Sequence, residues 1–243
     1  MTDLRTSTAP PASADPPAEG NAAPSDRVRL RRKRERGSHE RAVIDAILDE
    51  GLIAHLGIVD AGGQPFVVPT LHARSGDVVY LHGSAAGRAM KTLATGAPAC
   101  LTVSLLDALV LARSAMHHSA NYRSVMLLGR ARAIEEPARK RAALEAVVEH
   151  VVPGRWAEVR APTDKELKAT SVLEMTIDEA SAKIRTGAPV DDEEDYALPI
   201  WAGVVPLRLA PGAPIADPRL PPDIQTPGYA AHYQRPGTGR DAP

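Results

Sequence analysis

The spacing of apolar positions changes several times along the chain, and each change marks an expected element. Residues 1–26 are rich in Pro, Ala, Ser and Asp, with almost no large apolar side chains to offset the entropy of ordering, so disorder is expected there. After Ser38, read as a helix N-cap, Ile44, Ile47 and Leu48 recur at helical spacing. From Leu52 the period shortens to that of strands. "IAHLGIVD", the turn "AGGQ" and "PFVVPTLHAR" read as a hairpin, and a second tight turn, "SGD", leads into "VVYLHG". A helix is expected over 84–95. "APACLTVSLLDALVLAR" is apolar and β-branched enough for one strand and part of the next, and "NYRSVMLLGRARAIEE" is a long strand candidate. "PARKRAALEAVVEHV" reads as a helix with Pro137 at its start and a stripe of Ala143, Leu144, Val147, Val148 and Val151, stopped by "PGRW". "SVLEMTIDEASAKIRTG" places Leu173, Met175 and Ile177 on one face, as one strand. "DDEED" is an acidic loop, and beyond "LPIWAGVVPLRL" the composition returns to Pro and Gly.

Hairpin-linked strands with few helices between them predict a mainly β antiparallel barrel and not a doubly wound sheet. The expected division is a basic-ended disordered tail at 1–37, one barrel domain over 38–211 and a second disordered tail at 212–243. The chain is 243 residues long and 44% hydrophobic, enough for one sizeable core. A formal net charge of −1 offers no global field toward nucleic acid or an anionic membrane. The single cysteine, Cys100, excludes a disulfide framework and fits a reducing compartment. No apolar run reaches the ~18 residues of a membrane span, and the N-terminus lacks an apolar signal core, so a soluble cytoplasmic protein is expected. "RVRLRRKRER" puts seven cations and one acid between Arg27 and Arg36. Such a run suits either a solvated lead-in to the first helix or contact with nucleic acid; nucleic-acid binding is not expected.

Candidate chemistry concentrates at the strand-to-helix corner "YLHGSAAGRAMKTL". With Ser84 at the origin of a helical wheel, Arg88 falls near ~40°, Lys91 near ~340° and Thr95 near ~20°, all on one face. A serine hydroxyl, the unpaired N–H groups of a first helical turn and two cations together suit a phosphate, and Gly83 and Gly87 permit close approach. An ordinary cap with solvated cations has the same spacing. A second constellation is "ARSAMHHSANYRSVMLLGRARA". On its strand Asn121, Arg123 and Val125 share one face, Tyr122 and Ser124 the other. His117 and His118 are adjacent, so their side chains diverge, and no spacing of His, Cys, Asp and Glu reads as a metal site.

The segments "FVVPTLHARSGDVVYLHGSAAGRAMKTL" and "LTVSLLDALVLARSAMHHSANYRSVMLLGRARAI", supported by "VVPGRW" and "WAGVVPL", resemble the pyridoxamine 5′-phosphate oxidase-like family of FMN-binding split barrels. Within it they are similar to the branch of nitroimidazole-resistance reductases and flavin-nucleotide-binding proteins. The resemblance spans roughly Arg41 to Leu207. It implies a six-stranded antiparallel split barrel, a homodimer and FMN at the subunit interface. It also implies that Ser84, Arg88 and Lys91 hold the FMN phosphate, that Pro69 and Thr70 lie nearest the ring, and that Arg123 and Ser124 add contacts on the ribityl-phosphate side. His82 corresponds to a histidine beside the flavin that is linked to chemistry. Where those reductases often read Gly-His-Lys, this chain has Gly87, Arg88 and Ala89, so Lys91 would replace the lysine one helical step on.

The expected function is an FMN-dependent oxidoreductase acting on a small molecule, with a nicotinamide as electron donor and His82 as proton donor or polarising group. Trp201, in an apolar run after the acidic loop, is expected at the subunit interface or the flavin-site wall; the alternative is the core of its own barrel. Three other functional readings stay open: a split barrel holding deazaflavin, one holding haem with an axial ligand among His72, His82, His117 and His118, and a flavin-binding protein without turnover. The C-terminal "RPGTGRDAP" carries no signature for pyridoxamine phosphate itself.

Overall fold

The computed structural model describes residues 21–235. Nine strands are described: β1 (Gly37–Ser38), β2 (Ile53–Val59), β3 (Pro65–Ser75), β4 (Val78–Ser84), β5 (Pro98–Leu111), β6 (Ser119–Ala133), β7 (Thr170–Thr176), β8 (Glu179–Arg185) and β9 (Gly203–Pro206). With them run α1 (Arg41–Glu50), α2 (Arg88–Ala94), α3 (Pro137–Val151), α4 (Asp164–Ala169) and α5 (Gly228–Ala231). The sheet is antiparallel, in the order β1-β8-β6-β7-β4-β3-β2-β5-β9, and a further β5–β6 pairing closes six of the strands, β2-β3-β4-β7-β6-β5, into a ring. This is the expected split barrel. The split lies on β6: Tyr122 to Leu128 pair with β8, whereas Ala131 to Ala133 pair with β7.

Period-2 alternation fills the barrel. Ala54, Leu56 and Ile58 of β2, Leu101 and Val103 of β5, Val125 and Leu127 of β6, and Leu173 and Met175 of β7 are all buried in one cluster. Two short helices add to it, α1 through Ile44, Ile47 and Leu48 and α2 through Met90 and Leu93. Each such side chain contributes roughly 1.5–3 kcal/mol on burial. The two helices sit at different ends of the barrel. Glu50, at the end of α1, bonds Arg123 of β6; Gly96, just past α2, bonds Arg130 of the same strand. Those two positions are roughly 23 Å apart at ~3.3 Å per residue.

Several expectations shift. The stretch 98–114, expected to hold one strand and part of another, is the single strand β5, with a register irregularity between Leu106 and Ala108. The segment 171–187, expected as one strand, is the hairpin β7–β8. Its turn at Ile177–Asp178 has no glycine or proline; Thr176 Oγ1 donates to Asp178 Oδ2 across it at 2.5 Å. Ser38 does not cap α1: the helix follows Glu40, and Ser38 Oγ accepts the Glu40 N–H at 3.1 Å. Residues 1–20 and 236–243 of the two expected disordered tails lie outside the described residues. The described part of the first tail packs: Val28 is 1% exposed, Arg27 pairs with Glu179, and β1 extends the sheet along β8. One buried valine and two strand residues dock a stretch that composition reads as solvated. Of the second tail, Tyr229 donates to Glu158 and Tyr233 to Val151 O at the end of α3.

Candidate functional site

The corner is built by β4 running into α2. The helix begins at Arg88, later than the expected 84. Ser84 to Gly87 form a turn closed by the Gly87 N–H on Ser84 O at 2.8 Å, and Ser84 Oγ accepts the Ala86 N–H at 3.3 Å. The N-cap, Gly87, has no side chain to satisfy the first turn; a Cβ there would sit 3.0 Å from Ser84 O. Ser84, Arg88 and Lys91 are all exposed. The Arg88 guanidinium lies 4.6 Å from the centre of the Phe66 ring on β3. Neither Arg88 nor Lys91 has a carboxylate partner among the described residues. Thr95 lies beyond the helix as its C-cap, with Oγ1 donating to Thr92 O.

His82 lies two residues before Ser84 on the same face of β4 and pairs with Val172 of β7. It is half-buried, and its Nδ1 is buried without a hydrogen-bond partner. Burial lowers its pKa, so the ring is neutral at neutral pH. On β3, Thr70 pairs with the buried Ala54 and points to the same side, whereas Pro69 pairs with the exposed His55 on the outer face. The two positions expected nearest a flavin ring therefore face opposite ways. Arg88 covers the Phe66 ring, Lys91 follows one turn on along α2, Ser84 lies in the turn before the helix, and His82 is on the adjoining stretch of strand.

The structure does not bring Arg123, Ser124 or Trp201 to that corner. Arg123 donates through Nε and Nη2 to both oxygens of Asp107, at 3.0 and 2.7 Å, and through Nη1 and Nη2 to both oxygens of Glu50. Its pKa is raised by those bonds, Asp107 first and Glu50 second. Within this chain the guanidinium is therefore committed to two carboxylates, and its bonds fasten α1 and β5 to β6. Glu50 and Asp107 are 73 and 16 residues away in sequence, which is why the strand pattern did not show the pairing. Ser124 Oγ donates to Lys183 O of β8 at 3.3 Å. Trp201 is 67% exposed, its ring lying against Gly203, so it is not in the core of its own barrel.

A second polar centre joins the hairpin after β5 to the acidic loop. Asp191, whose side chain is fully shielded from solvent, accepts the N–H groups of Arg113 and Ser114 at 2.9 and 3.4 Å and the Arg113 guanidinium at 3.0 Å. Burial pushes its carboxyl up, but those three bonds outweigh it and hold the pKa below the usual range. The Arg113 guanidinium also sits 4.9 Å above the Tyr196 ring. The loop itself is anchored by Arg185, which donates to Asn121 Oδ1 and to the carbonyls of Gly187 and Ala188. Ser114 Oγ meets His117 Nδ1 at 2.8 Å, and His118 Nδ1 lies 2.9 Å from Ser114 O. One ligand atom from each of His117, Asp191 and Asp195 lies within 4.8 Å of the others. Sequence spacing missed this cluster, because its members come from two loops 74 or more positions apart. Both Asp191 oxygens are already bonded and one faces a guanidinium, so the cluster is poorly suited to a free cation.

A cavity of about 420 Å³ lies instead beside the split of the sheet, between Gly129–Arg132 of β6 and the β7–β8 turn. None of the corner residues lines it. Among the described residues no helix is long and apolar enough to cross a membrane.

The comparisons with known proteins agree with this architecture. No curated protein matches the chain. The flavocytochrome Anf3 of Azotobacter vinelandii is 48% identical, with a TM-score of 0.81 over 86% of this chain and 96% of its own. A FAD- and haem-binding protein of Mycobacterium smegmatis is 39% identical, with a TM-score of 0.76 over 80% of this chain and 95% of its own. A candidate 5-nitroimidazole resistance protein of Bacteroides thetaiotaomicron, 24% identical with a TM-score of 0.53 over 61% of this chain and 86% of its own, shares the fold. The family model described as pyridoxamine 5′-phosphate oxidase matches residues 40–184. The six-stranded split ring and that match over more than half of the sequence identify the chain as a member of the pyridoxamine 5′-phosphate oxidase family.

Proposed function

We propose that this protein is a flavin-dependent oxidoreductase of the flavocytochrome type: a homodimer that binds FMN at the β4–α2 corner, carries a haem, and reduces a small molecule with electrons from a nicotinamide donor. The observation that carries the flavin part is the corner itself. Arg88 and Lys91 share a helix face just after the serine-bearing turn, and among the described residues no carboxylate neutralises either. A phosphate there gains charge-assisted bonds without breaking an ion pair. The unsatisfied, buried Nδ1 of His82 adds a polar group that a bound ligand would satisfy. When bound, the flavin supplies the hydride and electron transfer. The chain's own task is to hold the phosphate, present Phe66 and Thr70 nearby, and keep a neutral imidazole at His82.

The haem part is motivated by the two relatives at 48% and 39% identity, described as a flavocytochrome and as FAD- and haem-binding. The homodimer is supported by apolar side chains left on the outer barrel face: Ile53 and Val59 of β2, Val67 of β3, Leu106 and Leu109 of β5, and Trp201 are each 42–68% exposed. A purified protein should be coloured, with flavin absorption and a Soret band, and should run as a dimer. Extraction and mass measurement identify the flavin: FMN supports this reading, whereas FAD keeps the phosphate grip and moves the cofactor to that of the mycobacterial relative. A colourless monomer would overturn it. Anaerobic bleaching by NADH or NADPH distinguishes an oxidoreductase from a protein that only stores flavin.

A further inference from the structure

Resting on the haem part of that reading, we infer that His118 ligates the haem iron through Nε2, and that the exposed apolar side chains beside it form the wall against which the macrocycle lies. The first observation is the hydrogen bond that fixes the imidazole. Its partner, Ser114 O at 2.9 Å, is a carbonyl and only accepts, so His118 Nδ1 carries the proton. In the neutral ring the lone pair is then on Nε2, and His118 is exposed. A ligating histidine with its other N–H on a backbone carbonyl is the usual arrangement at metal centres, because that bond sets both tautomer and ring orientation.

Five of the other seven histidines fit less well. His72 is fully buried and its Nε2 donates to Leu48 O, which leaves only an inaccessible Nδ1. His150 likewise uses Nε2, on Gly51 O. His82 has its Nδ1 buried. His117 meets a hydroxyl, which both donates and accepts, so its tautomer is not fixed, and it faces Asp191 at 3.9 Å. His39 also donates Nδ1 to a carbonyl, Ala180 O, but charged Arg36 and Glu40 flank it.

The second observation is what surrounds His118. The Asp191 bonds to the Arg113 and Ser114 amides draw the loop after β8 against the hairpin that bears the histidine. Gly203 pairs with Leu111, which brings Trp201 to the base of the same hairpin. The hairpin exposes Met116 at 88%, and the segment docked on it exposes Val190 at 71%, Tyr196 at 46%, Leu198 at 42%, Ile200 at 47% and Trp201 at 67%, with the exposed acids Asp192, Glu193 and Glu194 between Val190 and Tyr196. An exposed apolar set on the hairpin that bears a tautomer-fixed imidazole and on the segment docked against it suits a large, flat, apolar ligand with a metal at its centre.

The test titrates the full-length protein, stripped of haem, with ferric haemin and follows the Soret region and the electron paramagnetic resonance spectrum. The wild type should give a sharp Soret band. His118→Ala should bind haemin at least ~10-fold more weakly, with an altered spin state that imidazole in the buffer restores. His82→Ala and His39→Ala should keep the wild-type band. Because His118 is exposed, the melting temperature and flavin affinity of its variant should be unchanged. A His118→Ala protein with wild-type Soret band and affinity overturns the assignment while leaving haem binding intact. A wild type that takes up no haemin overturns the haem reading and the assignment with it.

Discussion

The two ends of the barrel treat charge in opposite ways. At the α1 end the arginines have carboxylate partners. Arg123 is clasped by Glu50 and Asp107, Arg74 by Asp49 and Asp45, and the His72 and His150 rings lie 5.3 Å apart, each bonded to a backbone carbonyl. At the α2 end Arg88 and Lys91 stand without carboxylates among the described residues, while an unsatisfied imidazole nitrogen occurs at both ends, on His72 and on His82. Both helices insert apolar residues into the same core, so packing does not explain the difference. A cation held by two carboxylates fastens the fold together; a cation left with none is free for a ligand. Substitutions at the first end should therefore register in stability, and at the second in binding.

The largest expected effect is acid sensitivity from the α1 end. Burial, then the nearby His150, lower the His72 pKa from 6.5 to about 4. Above pH 6.5 the ring is neutral in both folded and unfolded chains and contributes no pH dependence. As pH falls below 6.5 the unfolded chain takes up a proton that the folded one refuses, so stability is lost down to about pH 4. The loss should reach about 3 kcal/mol, at ~1.36 kcal/mol per unit. Urea unfolding across that range measures it. A His72→Gln protein should lose most of this slope; an unchanged slope would move the sensitivity to another group.

Arg123→Ala comes next. It leaves Glu50 and Asp107 facing each other without their cation, and about 2–3 kcal/mol of stability should go, measured by chemical denaturation. Flavin affinity at the far end should stay within about twofold. A large loss of flavin with unchanged stability would reverse the roles of the two ends.

Trp201→Ala sharpens the contrast from outside both ends. The side chain is 67% exposed, so truncation should change subunit stability by less than ~0.5 kcal/mol. In sedimentation the same variant should shift toward monomer and release flavin. A loss of ~3–5 kcal/mol would mean that the ring is buried after all.

What the sequence disclosed follows the same division. Alternation and turn residues predicted the hairpins, the stripe of α1 and the inward Leu173 and Met175, because these signals are local. The pairing of Arg123 with Glu50 and of Arg113 with Asp191 joins elements far apart in sequence, so a cation destined for an ion pair looked the same as one free for a ligand. The β7–β8 turn escaped because Asp178 performs what a glycine usually signals. The α4 capping box was legible as Thr163 followed by Glu166 and went unread. The β4–α2 corner was visible because its chemistry is contiguous, though its helix begins four residues late.

The most direct measurement of the central claim is a calorimetric titration of the flavin-free protein with FMN and with riboflavin, repeated for Arg88→Ala and Lys91→Ala. If the corner grips a phosphate, FMN binds at least ~10-fold more tightly than riboflavin. Each variant then loses roughly 1.5–3 kcal/mol toward FMN and almost nothing toward riboflavin. Equal affinity of the wild type for the two ligands would contradict the claim.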